Sequence, residues 1–202
     1  QKTAYEIRNC DWSSDVCSSD LSRAYLVSID NPQYRFIDWQ RDLRSGYRWS
    51  AQTPVAGLAI GRIRGTDIKS PWELSRLQHL PQLALAAILA RDGEPGFRDA
   101  AVYVAEIRNQ CLDFIGSNPP RYGACWGCPM DVGIRVANMV LARALLVGAG
   151  FELDERFERA LADSVLEHGA HIAAHIEWSE SGRSNHFLAD LAGLMFCAVA
   201  LP

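Results

Sequence analysis

Asn185 and His186 stand side by side in the run Ser184-Asn185-His186-Phe187-Leu188-Ala189-Asp190-Leu191-Ala192-Gly193-Leu194. They follow the polar turn Glu180-Ser181-Gly182-Arg183 and open a long apolar stretch. An asparagine amide donates hydrogen bonds to a carboxylate, and an imidazole takes or gives a proton near neutral pH. One side chain to hold an acid group and one to move a proton is what elimination on a uronic acid requires. The competing reading is structural: Asn185 caps the helix that follows, a position asparagine favours, and His186 packs in its first turn.

Such a pair must be held by other elements, and from residue 70 the sequence supplies helices. Ser70, Pro71 and Glu73 read as a capping box with proline at the first helical position. Pro81 should kink or divide that helix ahead of Gln82 to Arg91, and Asp92-Gly93-Glu94-Pro95-Gly96 ends it. A second helix is predicted from about Phe97 to Ile115, closed by Gly116-Ser117-Asn118-Pro119-Pro120. Pro129 opens a third to about Val147. Asp154 caps a fourth from Glu155 to about Trp178, with Leu161, Val165, Leu166, Ile172 and Ile176 on its apolar face. A fifth covers Asn185 to Ala200. Short Gly- and Pro-rich connections imply antiparallel hairpins. No strand alternation of comparable strength follows residue 70, so the expected fold class is all-α. Residues 22 to 69 read as a mixed segment of short elements and loops.

Residues 1 to 21 do not read as part of this fold. Asp11-Trp12-Ser13-Ser14-Asp15-Val16-Cys17-Ser18-Ser19-Asp20-Leu21 matches one reading frame of a common sequencing-library adapter, and Gln1 to Ile7 match its upstream part. The expectation is a translated adapter in place of the native N-terminus, so a signal peptide is neither seen nor excluded. The apolar helix running up to Pro202 suggests further chain beyond it. Setting aside Lys2, Arg8, Glu6, Asp11, Asp15 and Asp20 takes the formal charge from −4 to −2. That balance gives no support for a nucleic-acid partner, which would favour a basic chain. No apolar run reaches ~18 residues, so no membrane span is predicted. With 49% of residues hydrophobic, a sizeable core is expected. Four cysteines remain (Cys111, Cys125, Cys128 and Cys197), too few for a disulfide scaffold.

Three separated segments, in order, resemble the heparinase II/III family of polysaccharide lyases. Asp67-Ile68-Lys69-Ser70-Pro71-Trp72-Glu73-Leu74-Ser75-Arg76-Leu77-Gln78-His79-Leu80 resembles its "DIK-x-PWELSR-x-QHL" run. Gly123-Ala124-Cys125-Trp126-Gly127-Cys128-Pro129-Met130-Asp131-Val132-Gly133-Ile134-Arg135 resembles its "G-x-NW-x-x-x-M-[DE]-x-x-IR" segment. Ser184 to Asp190 resembles its "NNHYLAN" run. The resemblance covers roughly residues 36 to 202. It implies an incomplete α/α toroid, of which residues 70 to 202 would be part, and β-elimination on uronate-containing polysaccharide. It implies that Asn185 neutralises the substrate carboxylate, that His186 is catalytic, and that a catalytic tyrosine lies on a later helix without a counterpart before Pro202. The fragment alone is then expected to be inactive. The resemblance further implies an acidic polysaccharide partner (a glycosaminoglycan, alginate or bacterial exopolysaccharide), no cofactor, and a periplasmic or secreted location. Ser184, Phe187, Asp190 and Cys125 depart from the pattern, which puts substrate choice in question. Ser184, Phe187 and Cys125 also feed a rival reading, a non-catalytic carbohydrate-binding or exopolysaccharide-assembly protein on the same scaffold. A helical hydrolase is a third reading, with Asp131 or Glu177 as its first candidates.

Other residues carry weaker signals. Trp72, Trp126 and Trp178 are candidates to stack on pyranose rings, Trp126 foremost because its Gly- and Pro-containing loop is expected to line the cleft. Arg76, Arg121, Arg135 and Arg183 are candidates to pair with anionic sugars. The structural alternatives are an i,i+4 pair of Arg135 with Asp131 and an i,i−3 pair of Arg76 with Glu73. His168, His171 and His175 share a helical face, a spacing that permits zinc, but no cysteine or carboxylate at matching spacing completes a site, and no metal is expected. Cys125 and Cys128 have CxxC form without the βαβ context of a redox motif.

Overall fold

The computed structural model describes residues 25–29, 31–178, 180 and 184–201. Residues 1–21, read as adapter, and Arg183 lie outside the described residues. The described chain is all-helical, without a strand among the described residues. Its six main helices are α1 (Lys69–Ser75), α2 (Leu80–Arg91), α3 (Ala100–Ser117), α4 (Pro129–Gly148), α5 (Glu155–Ala174) and α6 (Asn185–Ala200). Helix α4 is central and packs against α2, α5 and α6, while α3 packs on α2 and α5.

Local chemistry explains most helix ends. Asp99 and Asp154 cap α3 and α5 by accepting from Ala101 N at 2.8 Å and Phe157 N at 3.1 Å. Pro129 begins α4 and Pro81 lies in the first turn of α2, where a missing N–H costs nothing. The capping box expected at Ser70 does not form. Helix α1 starts at Lys69 without a side-chain cap, because the Ser70 hydroxyl accepts from Leu43 N at 3.0 Å and ties the N-terminal segment down instead. Proline 81 divides α1 from α2, and the corner residue Leu77 takes a positive φ of 54° with its side chain fully buried. Asn138 of α4 holds that corner through Nδ2–H to Arg76 O at 2.9 Å. Helix α5 ends at Ala174, short of the expected Trp178, so Glu177 and Trp178 lie in the loop to α6.

Apolar spacing fixes which faces meet. Val132, Val136, Met139, Val140 and Leu146 of α4 are buried, as are Phe157, Leu161, Val165 and Ile172 of α5. The repeats of three and four place each set on one stripe. The segment before α1 adds Ile29, Tyr34, Phe36 and Trp39 to the same core. It is pinned there by Asp113 of α3, which is fully buried and accepts from Tyr34 Oη (3.0 Å), Ile37 N (2.9 Å), Trp39 Nε1 (3.2 Å) and Ser117 Oγ (3.0 Å).

Helices α4 and α6 touch backbone to backbone. A Cβ added to Gly193 would stand 2.6 Å from Gly133 Cα, and one added to Gly133 would stand 2.7 Å from Ala189 O. Neither obstacle is a side chain that could swing aside. Helix α6 therefore buries Asp190, Gly193 and Cys197 against α4 and α5, while Leu188, Met195 and Val199 remain exposed on its other side.

Two outcomes follow for urea denaturation. Gly193→Ala, which on an open helix would stabilise by up to ~1 kcal/mol, should instead destabilise by about 1–3 kcal/mol through overpacking. Asp113→Ala, which strands four donors, should cost about 3–5 kcal/mol, and Asp113→Asn, which keeps an acceptor, clearly less. Equal losses for the two Asp113 variants would show that the clamp contributes little.

Candidate active site

The N-terminus of α6 gathers the residues with the most chemistry. Ser184, not Asn185, is the N-cap: its hydroxyl accepts from Phe187 N at 3.4 Å. Asn185 is thus the first helical residue and its side chain is exposed, near Met130 Sδ at 3.8 Å. The capping alternative for Asn185 is corrected by this geometry, because the serine that replaces the first asparagine of the resembled motif takes the role.

His186, half-buried, presents Nδ1 to Glu177 Oε1 at 3.0 Å. A carboxylate only accepts, so the proton of that bond sits on Nδ1, and in the neutral ring the lone pair is on Nε2. The second oxygen of Glu177 accepts from Met130 N at 3.2 Å, and its backbone N–H donates to Asp190 Oδ2 at 2.7 Å. Glu177 is therefore held at Oε2 and at its backbone independently of His186, which its Oε1 orients. Asp190 is fully buried, and burial pushes its carboxyl above the ordinary range. Beside this group, Trp178 is 56% exposed and meets Phe187 edge-on with ring centroids 4.9 Å apart.

The other candidates are placed differently. Arg76 forms an ion pair with Asp131 of α4, so neither the Glu73 nor the Arg135 pairing considered from sequence is the one adopted. Asp131 is fully buried. Trp72 is half-buried and donates Nε1–H to Ala124 O at 2.8 Å, holding the 3-10 turn Ala124–Trp126. Trp126 is buried rather than on a cleft wall, with Nε1–H on Asn118 O at 3.1 Å. Arg135 is fully buried. It donates to His168 Nε2 (2.9 Å), Cys125 O (3.1 Å) and Ser75 Oγ (3.3 Å), and its guanidinium stands 4.3 Å from the Phe114 ring centroid and 5.2 Å from that of Trp126. Burial lowers its pKa to about 10, which leaves it cationic at neutral pH. Arg121 is exposed and pairs with Glu167 at 3.2 Å.

This cage also settles the three histidines. Arg135 donates to His168 Nε2, so His168 must carry its proton on Nδ1, which lies 2.6 Å from Ser164 O. Burial and the adjacent Arg135 charge push His168 well below the ordinary histidine range. His171, pushed to about 4 mainly by burial, stacks on His175 at 4.5 Å. His168 is committed to Arg135, so the three rings do not converge on an ion. The CxxC pair is likewise divided: Cys125 donates to Trp39 O at 3.3 Å, and burial raises its thiol to about 11. The four described cysteines are free and buried.

A groove away from these residues is lined by Val140, Arg143, Glu158 and Ala200, at the other end of α6 from His186. The Arg143–Glu158 pair at 2.7 Å occupies part of it, and it plays no part in the site.

Sequence reasoning did not join Glu177 to His186. The signal was present: Glu177 lies nine residues before His186, just ahead of the polar Glu180-Ser181-Gly182-Arg183 run read from the sequence as a turn. Comparison with protein families, with curated proteins and with solved structures finds no match.

His168 ties stability to pH. Its native pKa is depressed, so the unfolded chain, titrating near 6.5, binds a proton that the native state refuses. Stability is then complete above about 6.5 and falls as the pH drops below it. Between pH 7 and 5 part of the stability should therefore be lost through His168. His168→Gln, which still offers Arg135 an acceptor, should flatten the slope in denaturation measured at both pH values. An unchanged slope would place the acid sensitivity elsewhere.

Proposed function

We propose that this chain is part of a heparinase II/III-like polysaccharide lyase and that the start of α6 is where a uronate-containing acidic polysaccharide is cleaved by β-elimination. The observation that carries the reading is the Glu177–His186 hydrogen bond beside an exposed Asn185. The three-segment resemblance given above supports it, and implies that these helices are part of an incomplete α/α toroid.

The chemistry follows from the positions. A uronate C5–H is a poor acid while the neighbouring carboxylate is fully charged, and donors aimed at that carboxylate stabilise the enolate that forms as the proton leaves. Asn185 supplies Nδ2–H. The first turn of α6 adds unpaired backbone N–H groups and the positive end of the helix dipole. His186, with its Nδ1 proton held by Glu177, offers the Nε2 lone pair to C5–H. As that proton moves to Nε2, the C5–H electron pair forms the C4–C5 double bond and the C4–O4 bond breaks. The departing O4 then takes a proton, a role the resemblance gives to a tyrosine or to the histidine according to the sugar epimer. Glu177 stabilises the imidazolium formed on the way, the part a carboxylate plays beside a catalytic histidine. Trp178 is the exposed aromatic suited to lie against a pyranose face. Arg135 and Trp126, being buried, are scaffold in this account rather than sugar contacts.

The test uses the product of the intact locus with a panel of uronate polymers, following ultraviolet absorbance of the unsaturated product. His186→Ala should lower the rate by about 10²–10⁴-fold, and Asn185→Ala by about 10²–10³-fold. Binding that persists without any absorbance, unchanged in both variants, would favour the non-catalytic carbohydrate-binding reading.

A further inference from the structure

We propose that Cys128, Glu177 and His186 form a binding site for a thiophilic divalent cation of the zinc type. Their ligand atoms all lie within 4.8 Å of one another. They come from three separate elements: Cys128 precedes α4 as its N-cap residue, Glu177 sits in the loop after α5, and His186 lies in the first turn of α6. The convergence is made by the fold, not by a sequence motif.

The donor set fits zinc. Thiolate, imidazole and carboxylate bind it at about 2.3, 2.0–2.1 and 2.0–2.2 Å, and a tetrahedral ion with those bonds holds its ligand atoms roughly 3.2–3.7 Å apart. Glu177 and His186 already meet at 3.0 Å. A mixed sulfur, nitrogen and oxygen set selects against magnesium and calcium, which take oxygen ligands. Three protein ligands leave a fourth position for water, the arrangement of open zinc sites. Glu177 is held by Met130 N and His186 by the close docking of α6, so the ligands are oriented in advance.

Electrostatics points the same way. The Cys128 thiol is buried and faces the carboxylates of Asp131 and Glu177, and burial first, then these neighbours, raise it to about 12. Asp131 lies within hydrogen-bond reach of the Cys128 thiol and is paired with the cation Arg76, and Asp190 Oδ1 is buried without a hydrogen-bond partner. Carboxylates gathered around a thiol attract a dication, which would displace the thiol proton and stabilise the thiolate. Glu177 and His186 are partly exposed, which gives an ion access from solvent. Cys125 is not a competing ligand, since its thiol is bonded to Trp39 O.

Binding of the ion does not depend on the lyase reading. One consequence does: an ion on His186 removes the base, so zinc should inhibit elimination. The test is a cobalt(II) titration of the metal-free chain in a Cys10→Ser/Cys17→Ser background, without polysaccharide. The result expected is one equivalent bound with a thiolate-to-cobalt charge-transfer band in the near ultraviolet, bleached by zinc. Cys128→Ser should abolish the band, and Glu177→Gln or His186→Gln should weaken zinc at least ~10-fold in chelator competition. Cys197→Ser should leave both unchanged. Far-ultraviolet circular dichroism checks that each variant is folded. If Cys128→Ser is not, the two partly exposed variants decide alone. No charge-transfer band in the folded parent, a band that survives in folded Cys128→Ser, or undiminished affinity in both Glu177→Gln and His186→Gln would overturn the proposal. A lyase assay that fails leaves this titration untouched.

Discussion

The backbone contact of α4 with α6 at Gly133 and Gly193 is the constraint on which the rest depends. Two helices approach this closely only where neither carries a Cβ at the crossing, and here a Cβ on Gly193 would meet Gly133 Cα and one on Gly133 would meet Ala189 O, both under 3 Å. The close crossing sets the depth of α6 in the bundle and so the position of its first turn. From there His186 reaches Glu177, Asn185 reaches past Met130, and Asp190 reaches the Glu177 backbone. A helix displaced outward by one methyl group would separate those partners, whose contacts tolerate a few tenths of an ångström.

A second constraint governs the interior. Arg135 places a permanent charge in the core, which is costly unless every face of the guanidinium is served. Two aromatic faces, a carbonyl, a hydroxyl and a neutral histidine serve its Nε, Nη1 and ring-facing sides, while Nη2 is buried without a hydrogen-bond partner. The same demand explains why Trp126, Phe114 and His168 are buried together. It also consumes groups whose types alone suggest anion or sugar binding. Of the described candidate residues, Glu177, Trp178, Asn185 and His186 keep exposed or partly exposed side chains between the end of α5 and the start of α6.

Much of the helical order was legible in the sequence because it rests on local rules. Aspartate 154 before an apolar-periodic run, Pro129 at a helix start and the Gly-rich stops of α2 and α4 act within one turn, and they fall where spacing predicts. The capping box at Ser70 failed because a distant backbone N–H, that of Leu43, took the hydroxyl. The end of α5 was overestimated because Glu177 is drawn off the helix by Asp190 and Met130, partners that no local pattern reveals. For the site, Asn185 and His186 were visible as residue types, whereas the arginines were not separable. Arg76 pairs with Asp131, Arg135 is caged, and only three-dimensional packing tells these apart from a cleft-lining arginine. Cys128 was legible only as half of a CxxC, because its partners lie 49 and 58 positions onward and are joined to it by the α4–α6 crossing.

The account's central claim is that the start of α6, with the Glu177–His186 pair, is the surface that receives an acidic sugar. Amide and imidazole chemical-shift mapping of the isotopically labelled chain during titration with a saturated uronate oligosaccharide tests it most directly. The account predicts shifts concentrated on Asn185, His186, Phe187, Glu177 and the Trp178 indole, with Arg135 and His168 unmoved. Shifts elsewhere on the bundle, none at saturating oligosaccharide, or the same pattern with a neutral sugar would contradict it.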